Sequence, residues 1–303
     1  MGGFMRIVYA FACALLASLP GTAAADDLHL FGSAEFVYLN APAGPAGIPV
    51  SDGTPGLTSS HFDLGWTTGF DARLGVAFGS WGVEGRYLGD FAWSASATDV
   101  GAATIFSTPS INFGALDVTA TESASLRSWE INGFWQATER LRVFAGYRSI
   151  DLGGSFAADI GGVATFAYTI GNELQGGQIG LEARLLDSGE PPGARFCVDA
   201  RGSVGYYANS IGYAGTTSGI GGALPTFAGN GSNNTFAAEG EVRAGLALDH
   251  FRVHLGYRVL YVADIATTFG NFGSANVSTG VVSPSADGSA LFHGPTAGFT
   301  LVW

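Results

Sequence analysis

Between residues 62 and 78 the chain sets Phe62, Leu64, Trp66, Phe70, Leu74, Val76 and Phe78 at even positions and Asp63, Thr67, Asp71 and Arg73 at odd ones. Side chains of an extended strand alternate between two faces, whereas apolar positions on a helix recur every three to four residues. The segment therefore reads as a strand with one greasy face and one charged face. After Gly79 and Ser80 the arrangement returns, with Trp81, Val83, Tyr87, Phe91 and Trp93 on one parity against Glu84, Arg86 and Asp90 on the other. A link this short predicts a hairpin.

Three further pairs repeat the plan. Trp129, Ile131 and Trp135 stand against Glu130, Asn132 and Gln136, then Leu141, Val143, Ala145 and Tyr147 against Arg140, Arg142 and Arg148. Ile179, Leu181 and Leu185 oppose Gln178, Glu182 and Arg184; past a Pro191-Pro192-Gly193 turn, Phe196, Val198, Val204 and Tyr206 oppose Asp199 and Arg201. Phe236, Val242, Leu246 and Leu248 oppose Glu239, Glu241 and Arg243. Beyond Asp249 and His250, Phe251, Val253, Leu255, Tyr257, Val259 and Tyr261 oppose Arg252, His254 and Arg258. With residues 28–39, which carry Glu35, and 294–303 added, the pattern predicts ten strands, or twelve if a long loop hides another hairpin. The short turns alternate with long Gly/Ala/Ser/Thr/Asn-rich stretches at 41–60, 97–124, 151–171, 208–234 and 265–290, which read as loops. Short turns at one rim and long loops at the other are the layout of an outer-membrane barrel, which closes with an even strand number.

Hydrophobic residues make up 47% of the chain, yet beyond the N-terminus no run of 18 apolar residues exists, so helical membrane spans are excluded. Residues 1–25 read as a cleaved signal peptide: Arg6, an apolar run over 7–19, then Ala23-Ala24-Ala25. The mature residues 26–303 form one domain, exported to a bacterial outer membrane. Charged residues reach only 13%, against roughly 25% in soluble domains. Every basic side chain is arginine, and the net charge of −12 leaves no basic face for nucleic acid. After cleavage Cys197 is the one cysteine, so no intramolecular disulfide is expected.

A soluble sandwich also alternates, but its outer face is polar and rich in Lys and Glu. In a bilayer every backbone polar group needs a partner, and a closed barrel leaves no edge. Trp66, Trp81, Tyr87, Trp93, Trp129, Trp135, Tyr147, Tyr206, Tyr257, Tyr261 and Trp303 are then expected to form the aromatic girdles at the two lipid–water interfaces.

The chain closes on Phe299, Leu301 and Trp303, an alternating apolar end resembling the signal by which the barrel-assembly machinery recognises its clients. Residues 254–264 (HLGYRVLYVAD) and 293–299 (HGPTAGF) are similar to the last hairpin of the Legionella-type pore-forming major outer membrane proteins and related planctomycete barrels. Residues 69–75 with 81–87 resemble their early hairpin. The resemblance implies pore formation or a structural surface role, with no catalytic residues to carry over and no cofactor.

If the aromatic parity faces lipid and lipopolysaccharide, the other parity lines the lumen. It comprises Glu35, Asp63, Asp71, Arg73, Glu84, Arg86, Asp90, Glu130, Arg142, Arg148, Glu182, Arg184, Asp199, Arg201, Glu239, Glu241, Arg243, Arg252, His254, Arg258 and Asp264. Two arrangements are open to these charges. They can line a water-filled pore for passive diffusion of small hydrophilic solutes, or they can neutralise one another and fill the interior, arginine's planar fork being suited to paired carboxylates. A plugged barrel would act through its outer loops as a structural or adhesive element. Hydrolysis at the outer rim would need His61 with Asp63, or His293. A metal site is not expected, because His250 and His254 straddle a turn and a strand.

Overall fold

The structure, a computed structural model, describes residues 28–41, 50–51, 59–100, 104–105, 111–112, 116–188, 193–219, 226–248, 250–276 and 278–302. Ten long strands account for most of them: β1 (Leu28–Asn40), β2 (Trp66–Phe78), β3 (Trp81–Asp99), β4 (Val118–Thr138), β5 (Leu141–Ile160), β6 (Ala164–Ser188), β7 (Arg195–Ser218), β8 (Thr226–Leu248), β9 (Phe251–Ile265) and β10 (Gly288–Val302). Each pairs antiparallel with its neighbours in sequence, and β10 returns to pair with β1, so the sheet has no open edge. The fold is thus a closed ten-stranded antiparallel barrel, as the alternation predicts. The expected signal peptide at 1–25 and the expected girdle residue Trp303 lie outside the described residues.

The strands are unequal. β1, β2, β9 and β10 have 13 to 15 residues, whereas β4 to β8 have 20 to 25. A bilayer is crossed by about 9–11 tilted residues, so the wall from β4 to β8 continues well past it on the long-loop side. Two of the stretches that read as loops, 151–171 and 208–234, are mostly this wall, and the β5–β6 link shrinks to Gly161, Gly162 and Val163. Both glycines adopt positive φ, 57° and 69°, which a tight reversal requires and a side chain would oppose.

The wall inverts the polarity of the barrel below it. On the lower half of β8, Val242, Leu246 and Leu248 point out and Glu239, Glu241 and Arg243 point in. On the upper half Thr226, Ala228, Asn230, Ser232 and Asn234 are exposed and Phe227 is buried. The lower outer surface is apolar and the upper one is made of small, mostly polar residues. From Phe251 to Tyr261, β9 advances about 33 Å along its axis, or roughly 25 Å along the membrane normal at the usual tilt, the height of an outer-membrane apolar band.

Most of the expected girdle residues lie on the outer face. Trp81 and Trp135 stack with centroids 5.9 Å apart near the short turns. Trp129 packs on Tyr147 at 5.4 Å, Tyr87 on Phe70 at 5.3 Å and Trp66 on Tyr38 at 5.0 Å toward the other rim. Tyr206, Tyr257 and Tyr261 are exposed beside them.

Seven of the expected facings are corrected. Asp90 and Asp264 are outside, not in the lumen, and Trp93 is inside, not in the girdle. Asp90 and Asp264 have φ of 64° and 46° and sit where the registers of β3–β4 and β9–β10 slip. One extra residue in a strand flips every later side chain. Phe91 and Trp93 therefore turn inward, where the Trp93 indole N–H donates to the Leu39 carbonyl at 3.2 Å. Asp63 is likewise exposed, because Gly65 turns the chain at φ 61° and sends Phe62 and Leu64 inward.

Candidate functional site: the barrel lumen

Around a ring of ten strands, β3 and β8 face each other across the diameter. Arg86 on β3 spans it. Its Nε donates to Asp71 Oδ2 on β2 at 2.8 Å, Nη1 to Glu130 Oε1 on β4 at 2.9 Å, and Nη2 to Glu239 Oε1 on β8 at 2.6 Å. Arg258 on β9 answers from the far wall, with Nη2 2.6 Å from Asp71 Oδ2, 3.1 Å from Glu35 Oε2 and 3.1 Å from Glu241 Oε1. Arg201 on β7 reaches Glu84 on β3 at 2.7 Å, Arg148 on β5 reaches Glu239 at 2.8 Å, and Arg243 on β8 reaches Glu35 on β1 at 3.0 Å. His254 Nε2 lies 3.1 Å from Glu35 Oε1. All of these side chains are buried, Arg258 completely at 0% exposure. The expected lumen residues are thus assembled into one cross-braced layer, with Arg73, Arg142, Glu182, Arg184, Asp199 and Arg252 below it toward the short turns.

Arginine is what makes such a layer feasible. An isolated buried charge is costly, and desolvation is offset only when every partner is hydrogen-bonded; a guanidinium offers five donors in a fixed fork. Lysine, absent from the chain, would present one compact charge with three donors in place of a planar fork of five.

Aromatic rings fill the rest of the cross-section by lying over glycines on the next strand. Phe31, Phe134 and Phe144 each stand directly opposite a glycine, Gly75, Gly82 and Gly180 respectively. A Cβ at any of these glycines would collide with the ring. Guanidiniums cover all three rings within cation–π range: Arg142 lies 4.3 Å from the Phe134 centroid and 5.3 Å from that of Phe31, and Arg201 4.1 Å from that of Phe144. Sequence reading missed these stacks. Their only sequence signal is a glycine opposite a Phe, which appears once strand register is known.

Above the ionic layer the lumen is apolar. Val37, Leu39, Leu88, Phe91, Trp93, Leu126, Ile150, Leu174, Tyr207, Leu260 and Phe292 form one buried cluster. A second, higher cluster packs Phe156, Phe166, Tyr168, Tyr213 and Phe227 of the tall wall against Phe62, Phe269, Phe272 and Val282 from the long loops. Those loops are tied inward. Asn172 donates to the Ala266 carbonyl at 2.7 Å and accepts from the Ala266 N–H at 2.8 Å, while the Tyr168 hydroxyl donates to the Thr268 carbonyl at 2.8 Å. Glu122 is the one carboxylate described in this upper core. It is 3% exposed, its Oε2 has no hydrogen-bond partner, and burial pushes its carboxyl up to about 7.

The histidines considered for catalysis are placed apart. His293 accepts from or donates to the Tyr257 hydroxyl at 2.7 Å and stacks edge-on with Trp66, in the girdle. His61 and Asp63 are exposed near the long-loop rim, and Asp63 Oδ1 accepts from the Gly65 N–H at 3.0 Å. Among the described residues no group of three or more His, Cys, Asp or Glu is placed to hold a metal ion.

No protein-family model and no curated protein matches the chain. Solved structures do. It is similar to the Escherichia coli outer membrane protease OmpT, at 10% identity and TM-score 0.48, over 92% of this chain and 97% of that one. It is also similar to the Pseudomonas putida toluene transporter TodX, at 8% identity and TM-score 0.27 over 94% and 92%. A Pseudomonas aeruginosa FadL homologue matches at 9% identity and TM-score 0.23, over 91% and 89%.

Proposed function

We propose that this chain is a bacterial outer-membrane barrel whose lumen is closed, and that it serves as a structural and adhesive surface element. The observation that carries this reading is the Arg86 to Glu239 contact across the full lumen, topped by two packed apolar layers. A diffusion pore for small hydrophilic solutes needs a continuous watery path, and an interior closed three times over speaks against one. The tall wall of β4 to β8 supports the adhesive part: it projects a stiff sheet outside the membrane, with an outer surface of small polar residues such as Thr119, Thr121, Ser123 and Ser125 on β4. Short turns then face the periplasm and long loops the exterior. β10, with Phe299 and Leu301 outward, is the segment the barrel-assembly machinery would read, and lipopolysaccharide would surround the upper girdle. The motifs resembling the Legionella-type major outer membrane proteins fit a structural surface role as well as a pore.

The test is single-channel recording of refolded residues 26–303 in a planar bilayer, after a heat-modifiability gel confirms barrel closure. No steps above the lipid baseline are expected. Stable steps altered by neutralising Arg86 or Arg258 would overturn the closed reading and establish the diffusion pore.

A further inference from the structure

Below the ionic layer the lumen opens into a cavity of about 420 Å³ whose mouth faces the short-turn rim. Six arginines line it, Arg73, Arg142, Arg184, Arg195, Arg243 and Arg252, with three histidines, His29, His250 and His254. Only two carboxylates do so, Glu182 and Asp199. In a chain of net charge −12 with 13 basic residues, this concentrates positive charge in one dead-end chamber.

The carboxylates present leave the guanidiniums incompletely matched. Glu182 is shared among Arg73 at 3.4 Å, Arg142 at 3.9 Å, Arg201 at 3.4 Å and Arg243 at 3.3 Å, all long for charge-assisted bonds of about 2.7–2.9 Å. Arg73 is 7% exposed and its Nε has no hydrogen-bond partner. Arg142 finds a second carboxylate only at 3.8 Å, in Glu84 of the ionic layer above, which is already bound by Arg201. At the rim Arg195 meets Asp187 at 3.7 Å, while Asp187 also serves Arg184 at 3.2 Å. Arg252 is the better satisfied, paired with Asp199.

We propose that this vestibule binds a small phosphate-bearing anion from the aqueous space at the short-turn side. Guanidinium forks match a tetrahedral oxyanion in pairs of bonds, and a low-dielectric wall around like charges focuses their field on an entering anion. The volume falls within the range of small-molecule sites and exceeds what a bare phosphate fills, so the class is a phosphate monoester. A bilayer phospholipid is not the source, since the mouth opens along the barrel axis and not through the lipid-facing wall.

The experiment titrates refolded residues 26–303, in a phosphate-free zwitterionic detergent, with glycerol 3-phosphate and with inorganic phosphate by isothermal calorimetry at constant ionic strength in chloride. Saturable binding is expected, with the ester tighter than inorganic phosphate. Arg142→Gln/Arg252→Gln should weaken it at least tenfold, and Arg127→Gln, on the outer face of β4, should leave it unchanged. Should the double variant fail the heat-modifiability test, Arg195→Gln at the first residue of β7 takes its place, with a loss of severalfold expected. No saturable heat with wild type, equal affinity in the vestibule variants, or an equal loss in Arg127→Gln would overturn the proposal.

Discussion

Arg86 Nη2 on β3 and Glu239 Oε1 on β8 are 2.6 Å apart, and they come from strands on opposite sides of the ring. A guanidinium and a carboxylate that touch from wall to wall cross the lumen at that height. The same guanidinium holds Asp71 and Glu130, so one cation bridges three carboxylates, of which Asp71 is shared with Arg258 and Glu239 with Arg148.

Replacing Arg86 by Gln removes one cation from a buried layer, leaving Asp71 to Arg258, Glu239 to Arg148, and Glu130 with Arg201 at 3.9 Å as its nearest cation. Breaking a buried ion pair by removing one partner typically costs about 3–5 kcal/mol. The unfolding midpoint on a heat-modifiability gel should fall well below wild type, and an unchanged midpoint would mean that water already solvates this layer.

The height at which the outer surface changes from apolar to polar predicts where charge is tolerated. Leu255 on β9 is 69% exposed within the apolar band, and Leu255→Arg should cost roughly 2–4 kcal/mol in folding into lipid vesicles. Ser210 on β7 is exposed above the girdle, and Ser210→Arg should cost close to nothing. Urea titration of both variants in the same vesicles decides it; equal losses would move the membrane boundary.

The ring-over-glycine packing predicts a coupled pair. Gly180→Ala places a Cβ against the Phe144 ring and the Gly202 carbonyl, for a loss of about 1–3 kcal/mol. Combining it with Phe144→Leu should recover part of that loss, because the smaller side chain vacates the site. Additive losses in a double-mutant cycle would show that the ring is not what Gly180 accommodates.

Glu122 predicts the sign of a pH effect in the wall beyond the membrane. Its folded-state pKa, about 7, is raised by burial above the ordinary carboxylate value of about 4.3. Its favourable contribution is complete below that ordinary value and is lost as pH climbs to about 7, after which the ionised form remains buried at a cost. Glu122→Gln should flatten this slope and exceed wild-type stability at pH 8 by roughly 1–3 kcal/mol. Thermal melts at pH 4, 6 and 8 test it, and parallel slopes in the two proteins would refute it.

Strand identity and most side-chain facings were legible in the sequence, because alternation needs only local geometry. Arg73 against Leu74 on β2, and Arg258 against Tyr257 on β9, fall where a period of two puts them. The stretches 151–171 and 208–234 escaped because their contrast is reversed and shallow. In β7 the outward row is Ala208, Ser210, Gly212, Ala214 and Thr216, against inward Tyr207, Asn209, Ile211 and Tyr213, a pattern without charge and with small residues on the water side.

The sequence by itself thus determined a closed, alternating, arginine-lined barrel: covalent geometry makes parity automatic, and two-faced strands with one apolar side must bury it or give it to lipid. Only the tertiary structure decided which way Trp93, Asp90 and Asp264 face, since a single extra residue in a bulge is a matter of pairing with the neighbouring strand. It alone decided that Arg86 meets Glu239, residues 153 positions apart, because that contact exists only once ten strands have closed and set the width of the lumen.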